Sequence, residues 1–92
     1  MITCFHPTGS SFARGERDGM LSVCQLATSA LLWMQEAHTG PISTLAWSPT
    51  GLLLASGGRD GMVHVWQAAT GTHVCSFSHG RTVKYLNWSP DG

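Results

Sequence analysis

A segment of about 42 residues occurs twice in this chain of 92 and begins a third time, and that self-similarity constrains the fold more than any other feature. Phe5-His6-Pro7-Thr8-Gly9 is answered 42 residues on by Trp47-Ser48-Pro49-Thr50-Gly51, and after a further 41 by Trp88-Ser89-Pro90-Asp91-Gly92. Arg17-Asp18-Gly19-Met20 returns at the 42-residue spacing as Arg59-Asp60-Gly61-Met62, Val23 returns as Val65 and Thr28 as Thr70. His38 and Ile42 return 41 residues later as His79 and Val83. Repeats of this kind are supersecondary units that stack on their neighbours to bury a shared core.

Inside the unit the grammar is that of β-structure. An apolar strand over residues 42–47 runs into Ser48-Pro49-Thr50-Gly51, a turn whose proline supplies its fixed φ at the second position. A second strand covers 52–57, and the Asp60-Gly61 pair signals a hairpin. The third strand, 62–67, sets Val63 and Val65 on one face against Met62, His64 and Trp66 on the other. Thr70-Gly71 turns the chain into a fourth strand over 72–78, with Val74 and Ser76 on one side and Cys75 and Phe77 on the other. No window sustains apolar residues at helical spacing. Four short antiparallel strands per unit predict an all-β chain built from propeller blades. Only 11% of the residues are charged, against roughly 25% in an average soluble protein. Stacking accounts for this, because a sheet covered on both faces needs apolar residues on both.

These residues resemble the WD-repeat β-propeller family. The stretch from His38 to Gly71 is similar to one nearly complete repeat of it, and the likeness runs over essentially the whole chain. The resemblance implies four-stranded antiparallel blades and, in each, a hydrogen-bonded network of a histidine, a serine or threonine, an aspartate and a tryptophan. Here those positions are His38, Ser56, Asp60 and Trp66. A buried carboxylate and imidazole need such partners. The chain departs from the family where Ala37 and Ser78 precede the two histidines in place of glycine. The Trp-Asp pair that names the family reads Trp66-Gln67 in one copy and Cys24-Gln25 in the other. In the first copy Arg14 stands where Ser56 does, so that unit keeps Asp18 without the network.

At about 42 residues each the chain holds about 2.2 blades, whereas propellers close with about four to eight. Residues 1–37 form a first blade incomplete at its N-terminal strand, 38–78 a second, and 79–92 the first strand and turn of a third. The expectation is a fragment of a longer propeller completed by further blades in cis. The alternative is self-assembly in trans into a ring of several copies.

Composition and motifs narrow the chemistry. Five Lys and Arg balance five Asp and Glu, and this zero net charge argues against a nucleic-acid binder. The longest apolar run, 30–34, is far too short to cross a membrane, and the N-terminus lacks a leader pattern. Three cysteines, Cys4, Cys24 and Cys75, include no C-x-x-C pair and read as small strand hydrophobes in a reducing, intracellular and cytoplasmic setting. Five histidines show no metal-ligand spacing, so no metal and no cofactor are expected. His64, beside Trp66, reads as a packed core imidazole. Ser56, His38 and Asp60 have the composition of a catalytic triad, but they are network positions of a repeat, and the chain reads as no enzyme. A hydrolase using a channel Cys or Ser is the contrary case, and a reactive low-pKa thiol would point to it.

The expected function is a non-catalytic scaffold for a protein or peptide partner. The alternative is a regulatory propeller module of a larger protein whose catalytic or signalling domain lies outside this chain. Arg17 and Arg59 share one repeat position before the turn aspartate. With Thr39, Arg81 and Lys84 they form the candidate interaction face by family analogy, suited to acidic groups.

Overall fold

A computed structural model describes residues 2–83, 86 and 88. Eight strands follow one another: β1 Ile2–Phe5, β2 Ser11–Gly15, β3 Met20–Gln25, β4 Leu31–Glu36, β5 Ile42–Trp47, β6 Leu53–Gly58, β7 Met62–Gln67 and β8 His73–Ser78. They form two four-stranded antiparallel meanders, β1-β2-β3-β4 and β5-β6-β7-β8, with no helix among the described residues. The all-β, blade-like architecture read from the repeat is therefore the observed one.

The turn residues explain the strand limits. Gly51 N–H donates to the Ser48 carbonyl at 2.9 Å, and the Ser48 hydroxyl accepts from Leu53 N–H at 3.1 Å. Leu52 is thereby spent on the turn, 72% exposed, and β6 begins one residue later than the apolar run suggests. Between β6 and β7 the turn closes with Gly61 N–H on the Gly58 carbonyl, and Asp60 Oδ1 accepts from Met62 N–H at 3.0 Å. Only Gly61, at φ +79°, is left-handed there. The Asp-Gly signal thus produces a right-handed turn closed by a left-handed glycine, not a two-residue primed turn. Glu16 to Met20 repeats this arrangement: Gly19 N–H donates to the Glu16 carbonyl, and Asp18 Oδ1 accepts from Met20 N–H.

The two sheets meet face to face. Ala13, Leu21, Val23 and Trp33 of the first pack against Leu45, Trp47, Leu54 and Trp66 of the second. Removing each buried Leu or Val from water contributes about 1.5–3 kcal/mol. Polar groups cross the same boundary. Trp33 Nε1 donates to the Ala68 carbonyl at 2.7 Å, Gln35 Nε2 to the Gly71 carbonyl at 3.1 Å, and Trp47 Nε1 to the Cys4 carbonyl at 3.0 Å. His6 Nε2 reaches the Gly51 carbonyl at 3.1 Å, and its ring stands edge-on to Trp47.

The outer faces differ from one another. Leu86 and Trp88 come over Ala55, Val63 and Val65 of the second sheet, and Trp88 Nε1 donates to the Ala46 carbonyl at 2.9 Å. The opposite face of the first sheet presents Phe5, Leu31 and Met34, each more than half exposed. Every residue of the outermost strand β8 is exposed, on both of its sides. Coverage of both faces, inferred from the low charge, thus holds for the inner strands of the second sheet, and fails on the outer face of the first sheet and at β8. Cys4 is half-buried and Cys24 buried, but Cys75 on β8 is exposed and does not pack as a core hydrophobe.

Candidate functional site

The segment joining the sheets organises the most polar part of the molecule. Ala37 and His38 both donate their backbone N–H to the Gly19 carbonyl, at 3.0 and 3.1 Å, which ties the start of the second unit to a turn of the first. The His38 ring then lies between two elements of the second sheet. Its Nδ1 is 3.0 Å from Asp60 Oδ1 and its Nε2 is 2.9 Å from Ser56 Oγ, while Trp66 Nε1 donates to Ser56 Oγ at 3.1 Å.

One set of protons satisfies every partner. With the proton on Nδ1, His38 donates to the Asp60 carboxylate and accepts the Ser56 hydroxyl at Nε2; the Ser56 oxygen in turn accepts the Trp66 indole N–H. Burial by itself would raise the Asp60 carboxyl. The Met62 N–H, the His38 ring N–H and the Thr39 N–H oppose that, and they hold it below the usual carboxylate range. Gly58 makes room for the ring, since a Cβ there would stand 2.7 Å from His38 Nδ1.

Serine, histidine and aspartate are in hydrogen-bonding order, as a hydrolase nucleophile would require. Ser56, however, is 0% exposed and its oxygen is already engaged by Trp66, so a substrate carbonyl has no approach to it. The first sheet has no such chain. Arg14 instead pairs with Glu16 at 3.0 Å on the surface, and Asp18 is exposed.

His64 departs from the expectation of a packed core imidazole, being only half-buried. Its ring lies 4.9 Å from that of His38 and 5.3 Å from that of His73, with Nδ1 3.2 Å from His73 Nε2. Desolvation lowers its pKa first, and the neighbouring His38 and His73 rings lower it further, against an opposing effect of Asp60. Among the described residues no three His, Cys, Asp or Glu side chains converge as a metal-ligand set.

Of the candidate face residues, Arg17 and Arg59 are brought to one cleft of about 310 Å³, with Pro41, Ile42 and Ser43 between them. Thr39 and Arg81 do not line it. Thr39 N–H donates to Asp60 Oδ2 at 3.2 Å, and the Arg81 backbone lies over Gly61. Lys84 falls outside the described residues. Pro41 and Ser43 carry no chemical motif and escape a reading by residue type. Ser43 sits where the pairing of β5 with β6 slips between Ile42 and Thr44, a bulge that no local pattern announces.

The family model for the WD domain, G-beta repeat, matches residues 29–67. The β-propeller domain of Myceliophteria thermophila Cps50 (Swd1) superposes with a TM-score of 0.87 at 24% identity, over 92% of this chain and 27% of that one. A chain of the mitotic checkpoint complex gives a TM-score of 0.87 at 30% identity over 96% of this chain and 28% of its own. The WD40 repeats of RRP9 give 0.82 at 22% identity, over 88% and 26%. The chain thus spans about a quarter of the length of the solved structures it matches. Comparison with curated protein sequences found no match. Two four-stranded meanders, a matching repeat and these superpositions agree: the chain has the fold of a WD-repeat β-propeller, of which it carries two blades.

Proposed function

We propose that the chain serves as a non-catalytic interaction scaffold, binding a protein or peptide through the candidate residues Arg17, Thr39, Arg59, Arg81 and Lys84. The observation that carries this reading is the cleft shared by Arg17 and Arg59, two exposed cations supplied by successive repeat units. Turns fixed on a rigid sheet are where propellers carry function, because the fold itself specifies none. The sealed Ser56 supports a structural role for the triad-like residues and counts against hydrolysis. Free cysteines support an intracellular setting. The repeat units are taken as 1–37, 38–78 and 79–92.

Selection of a displayed random-peptide library on the immobilised chain tests the reading. Peptides are expected whose binding is lost with Arg59→Ala or Arg17→Ala. Peptides indifferent to every substitution among these residues would move the function elsewhere.

A second interaction is favoured by the exposed Phe5, Leu31 and Met34. In repeat register Phe12 and Cys24 of this sheet face occupy the places of Leu54 and Trp66, which the first sheet covers in the second. Another blade of the same kind, in cis or from a second copy, is the occupant that this equivalence selects. Sedimentation of the chain with and without Met34→Lys tests it, with less self-association expected for the variant if copies pack in trans.

A further inference from the structure

We infer that the cleft between Arg17 and Arg59 receives an anionic side chain of a bound peptide, a phosphoserine or a carboxylate. The inference rests on the proposed binding face and names what that face recognises.

The two arginines are held at a fixed separation by backbone alone. Ile42 N–H donates to the Glu16 carbonyl at 3.2 Å, and Arg59 N–H donates to the Pro41 carbonyl at 3.1 Å. Both arginine-bearing turns are thus fastened to one dipeptide, Pro41-Ile42, at the mouth of β5. A ligand meeting two guanidinium groups whose backbones are already placed loses less freedom on binding than one that must assemble them.

Arg17 and Arg59 are the charged residues among those that line the cleft, and no carboxylate lines it with them. The acidic residues adjacent in sequence are engaged: Glu16 accepts from Arg14, Asp18 from Met20 N–H, and Asp60 from His38, Thr39 and Met62. Among the described residues neither Arg17 nor Arg59 pairs with a carboxylate. The Ser43 hydroxyl points inward, donating to the Gly57 carbonyl at 3.1 Å and lying close to the Val83 carbonyl, so the serine adds no charge and its proton is already used. Guanidinium forks favour phosphate and carboxylate oxygens over neutral acceptors.

Size and composition exclude other occupants. At about 310 Å³ the cleft is at the small end of ligand-sized clefts. Ile42 is only 6% exposed, so an apolar side chain would find little to bury against beyond Pro41. Five basic residues on a chain of zero net charge do not provide the track of cations that a nucleic-acid backbone requires.

The test uses short fluorescent peptides with randomised flanks and a fixed central phosphoserine, glutamate or serine, titrated against the chain at constant ionic strength. The phosphoserine or glutamate pool is expected to bind about tenfold more tightly than the serine pool, the effect of one or two charge-assisted hydrogen bonds. Preference for phosphoserine over glutamate identifies phosphate as the source of the anion, and parity identifies a carboxylate. Arg17→Ala and Arg59→Ala should each remove most of that advantage, while Arg14→Ala, outside the cleft, leaves it intact. Far-UV circular dichroism verifies that the variants fold. Equal binding of all three pools that still depends on Arg59 overturns the anionic ligand and leaves the binding face standing. Binding that depends on neither arginine, or none at all, overturns both, as would a single-stranded DNA that binds more tightly than any peptide.

Discussion

The indole N–H of Trp47 donates to the Cys4 carbonyl at 3.0 Å, from the innermost strand of the second blade to that of the first. Trp88 does the same to the Ala46 carbonyl at 2.9 Å, and Cys4 and Ala46 are themselves 42 residues apart. The inter-blade contact is thus a repeated device, in which a large apolar side chain fills the boundary and one polar atom sets its orientation. Trp47→Phe keeps most of the buried area and loses the hydrogen bond, so it should cost about 0.5–1.5 kcal/mol in urea denaturation. Trp47→Ala opens a cavity as well and should cost about 3–5 kcal/mol. Equal costs for the two would mean that the ring contributes no packing.

His38→Ala strands the buried Ser56 hydroxyl and removes a partner of Asp60, an expected loss of about 1–3 kcal/mol. Asp18→Ala in the first blade should cost less, since Asp18 is exposed and accepts only from Met20 N–H among the described residues. Chemical denaturation of both variants decides the matter. Equal losses would deny the His38 network any special weight.

Gly58→Ala places a methyl group where the His38 ring stands, 2.7 Å from Nδ1 and 2.9 Å from Asp60 Oδ1. The ring is buried and tethered at both nitrogens, so it has little room to yield. A destabilisation of about 1–3 kcal/mol is expected, as for other overpacked sites. Gly40→Ala, where an added Cβ meets nothing within 4 Å, is the control and should unfold close to the parent chain.

Much of this architecture is legible in one dimension, because the repeat spacing and the turn residues are local. Asp60-Gly61 marks a hairpin whatever packs around it, and the repeat offset alone places Trp47 and Trp88 in equivalent settings. What escapes is what depends on a neighbouring sheet. Nothing in the neighbourhood of Trp33 shows that its indole will reach Ala68, or that Gln35 will reach Gly71. The recurrence of a tryptophan directly before a Ser-Pro pair is a signal that could have drawn attention to the Trp47 bond. The cleft shows the same division. Arg17 and Arg59 share a repeat position, but the bulge at Ser43 and the carbonyl of Pro41 that complete it are backbone features with no side-chain signature.

Acid should destabilise the chain in two stages, each owed to a different residue. His64 is partly withdrawn from water and faces the rings of His38 and His73, with Asp60 the nearby carboxylate, and the balance favours its neutral form. Its pKa when folded is therefore below the value of roughly 6.5 that it has when unfolded. As the pH falls through that interval the unfolded chain takes up the proton more readily, so stability declines. Asp60 is also lowered, which leaves its contribution complete above the unfolded value of roughly 3.9 and lost as the pH falls through the folded one. Urea titrations across this range should show a first decline that His64→Gln flattens and a second, more acidic one that Asp60→Asn removes. An unchanged first decline in His64→Gln would transfer that proton to another histidine and break the assignment.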